Sequence, residues 1–238
     1  EEFKSHFYDE RSEYVYTQYN FKTLTTRPSN KFNGVNYAAL NKDNGCRKSF
    51  IPRNDKFIEL DISAYHPTLL GLLVGYDFGE EDIHKSFAKM YGVDYHKSKE
   101  LTFKQLYGGV FEQFKDLEFF QRVQIYVDDL WLKFNEKGWI ECPVSKHVYK
   151  KDALNDMKPQ KLLNYVLQNL ETAMNIRILW DIFKSLRNRK TKLVLYTYDS
   201  FLFDFKEGEE DLIDEIKQII NKYKLQIKKS YGSNYDFR

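Results

Sequence analysis

The sequence predicts an α+β fold, a small antiparallel sheet with packed helices and a helical insertion between two acid-bearing strands. Three observations lead there. Two apolar runs, residues 57–62 and 193–205, have strand character, and each carries one carboxylate, Asp61 and Asp199. Helical periodicity dominates the stretch between them. A last amphipathic helix, residues 211–223, is followed by a further strand-like run.

Residues 1–50 are polar, aromatic-rich and irregular, with loop signals at Pro28–Ser29–Asn30 and Asn33–Gly34. In 57–62, period-two alternation sets Phe57, Glu59 and Asp61 on one face and Ile58, Leu60 and Ile62 on the other. Residues 67–74, with Leu69, Leu70, Leu72 and Leu73, read as a helix packed on that strand. A helix over 82–91 ends near Gly92, and another over 98–107 ends at Gly108–Gly109. Residues 111–134 are aromatic, amphipathic and helical, and 139–149 form a strand or hairpin interrupted by Pro143. Residues 161–187 form a long helix with Leu163, Val166, Leu167, Leu170, Ala173 and Ile176 on or near one stripe. Residues 193–205 alternate around Asp199 as a hairpin, and 225–238 close the chain as a strand and tail. There is no repeat or low-complexity segment.

Composition sets the bounds. A chain of 238 residues buries a sizeable core, as one large or two small domains. With 42% apolar and 30% charged residues the balance is globular, and no run is long enough to span a bilayer, so no membrane partner is expected. A net charge of +2 gives no whole-chain field for a polyanion. Any DNA contact would have to come from local clusters such as Arg47–Lys48 or the Lys-rich segment 146–161, for which solvated surface is the competing reading. Cys46 and Cys142 lie far apart without metal-ligand spacing, which points to a reduced intracellular compartment. The chain opens on Glu1 with no signal peptide, and is expected to be a piece of something longer.

A carboxylate ending an apolar strand is costly to bury unless something positive meets it. For Asp61 the competing readings are a helix cap or a buried ion pair; for Asp199, within Tyr198-Asp199-Ser200, it is ordinary turn chemistry. Taken together on two strands of one sheet, the two acids form a metal clamp for ions roughly 3.5–4 Å apart. At about 100° per residue, Lys99, Phe103, Tyr107 and His96 fall within about 80° of one another on a helix. One reading buries Phe103 and Tyr107 in a core while Lys99 snorkels. The other is a phosphate site, in which Lys99 binds a triphosphate and acts as general acid for the leaving pyrophosphate. His84, in Asp82-Ile83-His84, is either a second phosphate donor or a lone surface histidine.

These segments resemble family A DNA polymerases of the bacterial DNA polymerase I type, almost from end to end. Thr26-Arg27-Pro28-Ser29 resembles the Thr-Gly-Arg segment before motif A, and is followed by an Asn-rich stretch at 36–41 and by Arg47-Lys48-Ser49-Phe50. Asp61-Ile62-Ser63 stands where motif A begins Asp-Tyr-Ser, Asp82-Ile83-His84 matches Asp-Ile-His, and Tyr91-Gly92-Val93 resembles Phe-Gly-Val. Residues 99–108 fit motif B, Lys-x3-Phe-x3-Tyr-Gly, without a gap. Asn164 and Gln168 match Asn-x3-Gln, and Tyr198-Asp199-Ser200 takes the place of His-Asp-Glu in motif C.

The resemblance implies a right-hand palm with an inserted fingers subdomain. Residues 1–70 would be the first part of the palm, 71–160 the fingers and 161–238 the second part of the palm. Asp61 and Asp199, assisted by the Ile62 carbonyl, would ligate two Mg²⁺ ions, for which Mn²⁺ is expected to substitute. Lys99 and His84 would hold the incoming dNTP, Phe103 would stack near sugar and base, and Tyr107 would guard the templating position. Arg27 and Gln168 would read minor-groove acceptors of the primer–template, with Asn36, Asn164 and Tyr198 as further DNA contacts. The chain departs from the family where Glu of motif A is replaced by His66, which is left to exclude ribonucleotides by bulk. The cation one turn before Lys99 is replaced by Tyr95, with His96 or Lys97 as substitutes, and Phe103 implies poor use of dideoxynucleotides. Thumb and exonuclease regions are expected to be missing at the N-terminal side, so that extension would be weak or distributive and binding salt-dependent. The expected source is a phage or mobile-element lineage, and the expected location the cytoplasm or nucleoid of a bacterial host.

The leading expectation is a template-directed DNA polymerase core. A palm polymerase with another task (reverse transcriptase-like, primer-making or terminal transferase) is the alternative that His66 leaves open. A non-catalytic nucleic-acid-binding module is the third, and would be expected had either acid been lost.

Overall fold

The computed structural model describes residues 8–9, 14–30, 35–41 and 43–237; the Asn33–Gly34 loop signal lies outside them. In chain order the principal elements are β1 (Lys56–Ser63), α1 (Tyr65–Val74), α2 (Ile83–Tyr91), α3 (Tyr95–Gly108), α4 (Glu118–Lys137), β2 (Trp139–Glu141), β3 (Val148–Lys150), α5 (Pro159–Ser185), β4 (Lys192–Thr197), β5 (Ser200–Phe205), α6 (Glu210–Asn221) and β6 (Gln226–Gly232). The chain divides into two compact units, Glu1–Ser63 with Asn175–Arg238, and Ala64–Met174. Among the described residues no helix is long and apolar enough to cross a membrane.

The first unit is built on an antiparallel sheet in the order β6-β1-β5-β4. Its register sets Ile58 opposite Phe203 and Leu60 opposite Phe201, so these side chains share one face, and all four are at most 2% exposed. α6 follows the period predicted for it, burying Leu212, Ile213, Ile216, Ile219 and Ile220, and contacts β6. On the other face Phe57, Leu195 and Leu202 cluster with Val35, Tyr37 and Tyr235, and Val15, Tyr19, Leu40, Phe50 and Phe237 pack against them. The irregular N-terminal segment thus supplies a cover for half of that face, and its aromatic richness is core material. Asp204, buried in the middle of β5, is satisfied by the backbone N–H groups of Arg53 and Asn54. Phe203→Ala, which would empty the fully buried face, is expected to lower stability by about 3–5 kcal/mol in chemical denaturation.

The second unit is helical apart from the β2–β3 hairpin, which turns around Pro143. Phe87 lies at the centre of an aromatic core with Phe78, Tyr91, Phe119 and Phe120. A second cluster joins Leu130 and Phe134 of α4 to Ile140, Tyr149, Leu162 and Val166. Asp82 and Asp94 cap α2 and α3 by accepting the N–H groups of Lys85 and Lys97, and Gly75 and Gly92 end α1 and α2 in the left-handed region. The Asp94 cap starts α3 three residues earlier than periodicity predicts. The single helix expected over 111–134 is broken, with a 3₁₀ turn, Glu112–Phe114, ahead of α4. Ile176 is a correction too: it is 60% exposed, because successive apolar residues of α5 drift around the helix until Ile176 has left the stripe.

Candidate active site

In the first unit, Asp61 sits near the C-terminal end of β1, and Asp199 occupies the two-residue turn between β4 and β5. Asp61 lies opposite Ser200 in the register, and the next amide, Ile62 N–H, donates to the Asp199 carbonyl at 2.8 Å. The sheet therefore brings the two acids together, both half-buried. On the other side of β1, Lys228 of β6 is the cross-strand neighbour of Asp61 and is exposed, placing a positive charge on the same face.

The turn itself is strained. Tyr198 has φ of 53°, a conformation that two-residue hairpin loops usually give to glycine and that costs of order 1–3 kcal/mol in a bulky residue. Three residues hold it. Asn175 of α5, fully buried, donates its amide to the Tyr198 carbonyl (2.6 Å) and the Tyr196 hydroxyl (2.9 Å). Tyr19 donates its hydroxyl to the Tyr196 carbonyl at 2.7 Å. The Arg27 guanidinium stacks 3.8 Å from the Tyr198 ring centre. Two of the predicted DNA-contacting residues are thus joined, and the pair buttresses the turn that carries Asp199. Asn36 is exposed at the start of a 3₁₀ turn and makes no side-chain cap.

Among the described residues no group of three or more His, Cys, Asp or Glu side chains is disposed to hold a metal. The chain offers two carboxylates and the Ile62 carbonyl. That donor set suits Mg²⁺, which keeps several waters and is bound through one or two carboxylates plus substrate phosphates rather than an all-protein cage.

In the second unit, α3 resolves the choice between core and surface for its aromatics. Phe103 is 42% exposed and Tyr107 38%, and the rings stack at 6.1 Å with a 15° interplanar angle. The inward face is instead Ser98, Thr102, Gln105 and Leu106. Lys97 and Lys104 are both paired with Glu100, whereas Lys99 has no carboxylate partner among the described residues, and its Nζ lies 4.6 Å from the centre of the Tyr95 ring. Tyr95, standing where a cation was expected, thus carries the cation of Lys99 on its face.

His84 is not a surface histidine. It is 3% exposed, its ring borders Tyr95 and Phe103, and its Nδ1 is buried without a hydrogen-bond partner among the described residues. Burial first, and then the Lys99 charge, push its pKa down to about 4 against the opposing pull of Asp82. Because the folded value lies below the unfolded one, the unfolded chain binds the extra proton between about pH 6.5 and 4, and stability falls as pH is lowered through that window. Thermal melts of the wild type and His84→Gln at pH 7 and pH 5 are expected to show the smaller pH-dependent loss in the variant.

His66 is also buried, and both ring nitrogens are engaged. Nδ1 is 2.6 Å from the Tyr107 hydroxyl, and Nε2 is 2.7 Å from Oε2 of Glu171, itself 1% exposed. Glu171 and Asn175 went unread in the sequence, although a signal was present. Asn164, Gln168, Glu171 and Asn175 follow a 4-3-4 spacing, which draws a polar stripe down α5. Gln168 donates to Asn164 at 3.0 Å, while Glu171 and Asn175 make the bonds described above.

No protein-family model matches the chain. No curated protein matches it either. Among solved structures it is similar to the POL domain of Pol1 from M. smegmatis, in complex with DNA primer-template and dNTP, at 16% identity and a TM-score of 0.77. The match covers 97% of this chain and 49% of that one, so the chain spans about half the length of that structure. The fold is that of a polymerase domain.

Proposed function

We propose that the chain is the core of a template-directed DNA polymerase of family A type, adding dNTPs to a primer 3′-hydroxyl with release of pyrophosphate. The unit containing β1, β4, β5 and β6 is the palm, and the unit Ala64–Met174 is the fingers. The observation that carries this reading is the α3 face, where Lys99, without a carboxylate partner among the described residues, and two stacked, exposed rings remain open in a fold that also carries two carboxylates on neighbouring segments of one sheet.

In this reading Asp61 and Asp199 hold two Mg²⁺ ions, with the Ile62 carbonyl as a further ligand. When bound, the ions lower the pKa of the primer hydroxyl and stabilise charge on the phosphoryl group being transferred. Lys99 binds the triphosphate and donates the proton that leaves with pyrophosphate. His84, whose Nδ1 is buried without a hydrogen-bond partner among the described residues, contacts the phosphate beside Lys99 once nucleotide binding uncovers that atom. Phe103 takes the sugar and base, Tyr107 closes the templating position, and His66 stands beside the sugar. Arg27, Tyr198, Asn36, Asn164 and Gln168 face the primer–template.

Primer extension with Mg²⁺, supplying dNTPs with and without template, tests the proposal. Template-directed addition supports it. Addition without template would assign a terminal transferase, and primer–template binding without addition would leave a binding module.

A further inference from the structure

The bonds at His66 extend the proposed function, on which the following inference rests. A carboxylate and an imidazole, both nearly inaccessible to water, are costly to bury, and a buried pair of this kind is often no more stable than apolar residues of the same volume. Stability alone therefore does not account for Glu171 and His66. The connection leads outward to the hydroxyl of Tyr107, whose ring is exposed and stacked on Phe103. With Glu171 ionised it can only accept, so Nε2 carries a proton, and Nδ1 is left to accept from the phenol or, in the imidazolium, to donate to it. In both protonation states the imidazole is fixed at two points, and a rotation of its ring breaks both bonds.

We infer that Glu171 is a positioning residue of the nucleotide site, which acts through the buried His66 to hold the exposed Tyr107 ring where it excludes a ribose 2′-hydroxyl. The carboxylate that motif A lacks at position 66 is supplied from α5. It does not face the nucleotide; through the buried imidazole it fixes the Tyr107 ring, which is exposed.

The test is the ratio of kcat/KM for dATP to that for ATP in template-directed addition. This ratio does not depend on how much of the preparation is folded, so a merely structural role would not move it. Glu171→Leu, which fills the volume without accepting a hydrogen bond, is expected to lower the ratio about tenfold, mainly through a smaller KM for ATP. Glu171→Gln retains an acceptor oxygen and is expected to restore most of the ratio. Tyr107→Phe, which cuts the outer end of the chain of bonds, keeps the test open if Glu171→Leu fails to fold, and is expected to lower the ratio comparably. An unchanged ratio in Tyr107→Phe, or in folded Glu171→Leu, overturns the inference while leaving the polymerase reading intact. A wild type that neither adds nor binds dATP overturns both.

Discussion

Asp199→Ala is expected to reduce template-directed dNTP addition by about three orders of magnitude or more, with little change in melting temperature. Asp199 lies in a turn whose conformation is held by the Tyr198 carbonyl, the Tyr198 ring and the Asp199 carbonyl, none of which the substitution removes. The loss should therefore appear in kcat, in single-turnover extension, and not in folding. Asp61→Ala should act alike, and the double variant should be scarcely worse than either single one, since the two acids work as one clamp. A decrease below about tenfold in either single variant would remove the carboxylates from the chemistry.

Lys99→Ala is expected to lower kcat/KM for dNTPs by about 10²–10⁴-fold, the range of a lost general acid, with a further increase in KM from the lost phosphate contact. The interpretation is clean because Lys99 has no carboxylate partner among the described residues, so no ion pair is broken. Its environment is the Tyr95 ring, and its loss should cost the fold no more than about 1 kcal/mol. The same substitution removes a charge that depresses the His84 pKa, so a rise in that pKa, followed by NMR titration, gives a second readout independent of turnover. Lys99→Arg should keep the phosphate contact but not the proton donor, and so separate KM from kcat.

Much of the fold was legible because it rests on local rules. Alternation in 57–62 set Asp61 on the face opposite Ile58, Leu60 and Ile62, and the register agrees. Spacing gave one face of α3, and glycines marked the ends of α2 and α3. What was not legible depends on neighbours distant in sequence. Whether Phe103 and Tyr107 were buried could not be read from periodicity, because a helix presents the same stripe to a core or to a ligand. His84 was as easily a surface residue until Ser98, bonded to its carbonyl, and the Tyr95 and Phe103 rings enclosed it. Glu171 and Asn175 were the clearest omission. Each continues the polar stripe of Asn164 and Gln168 along a helix whose apolar stripe lies beside it, and spacing alone does not tell which polar side chains are buried.

The central position of β1 also bears on how the protein is made. Its two partners, β5 and β6, come from the last part of the chain, after the whole of the unit Ala64–Met174 has been synthesised. Until Gly232 has emerged, β1 lacks its full pairing, and the backbone around Asp61 has no completed sheet to fix it. Translation halted before Phe205 leaves β1 without the strand that brings Asp199 beside Asp61. Pairing of the strands that carry Asp61 and Asp199 is thereby coupled to synthesis of the chain beyond the unit Ala64–Met174.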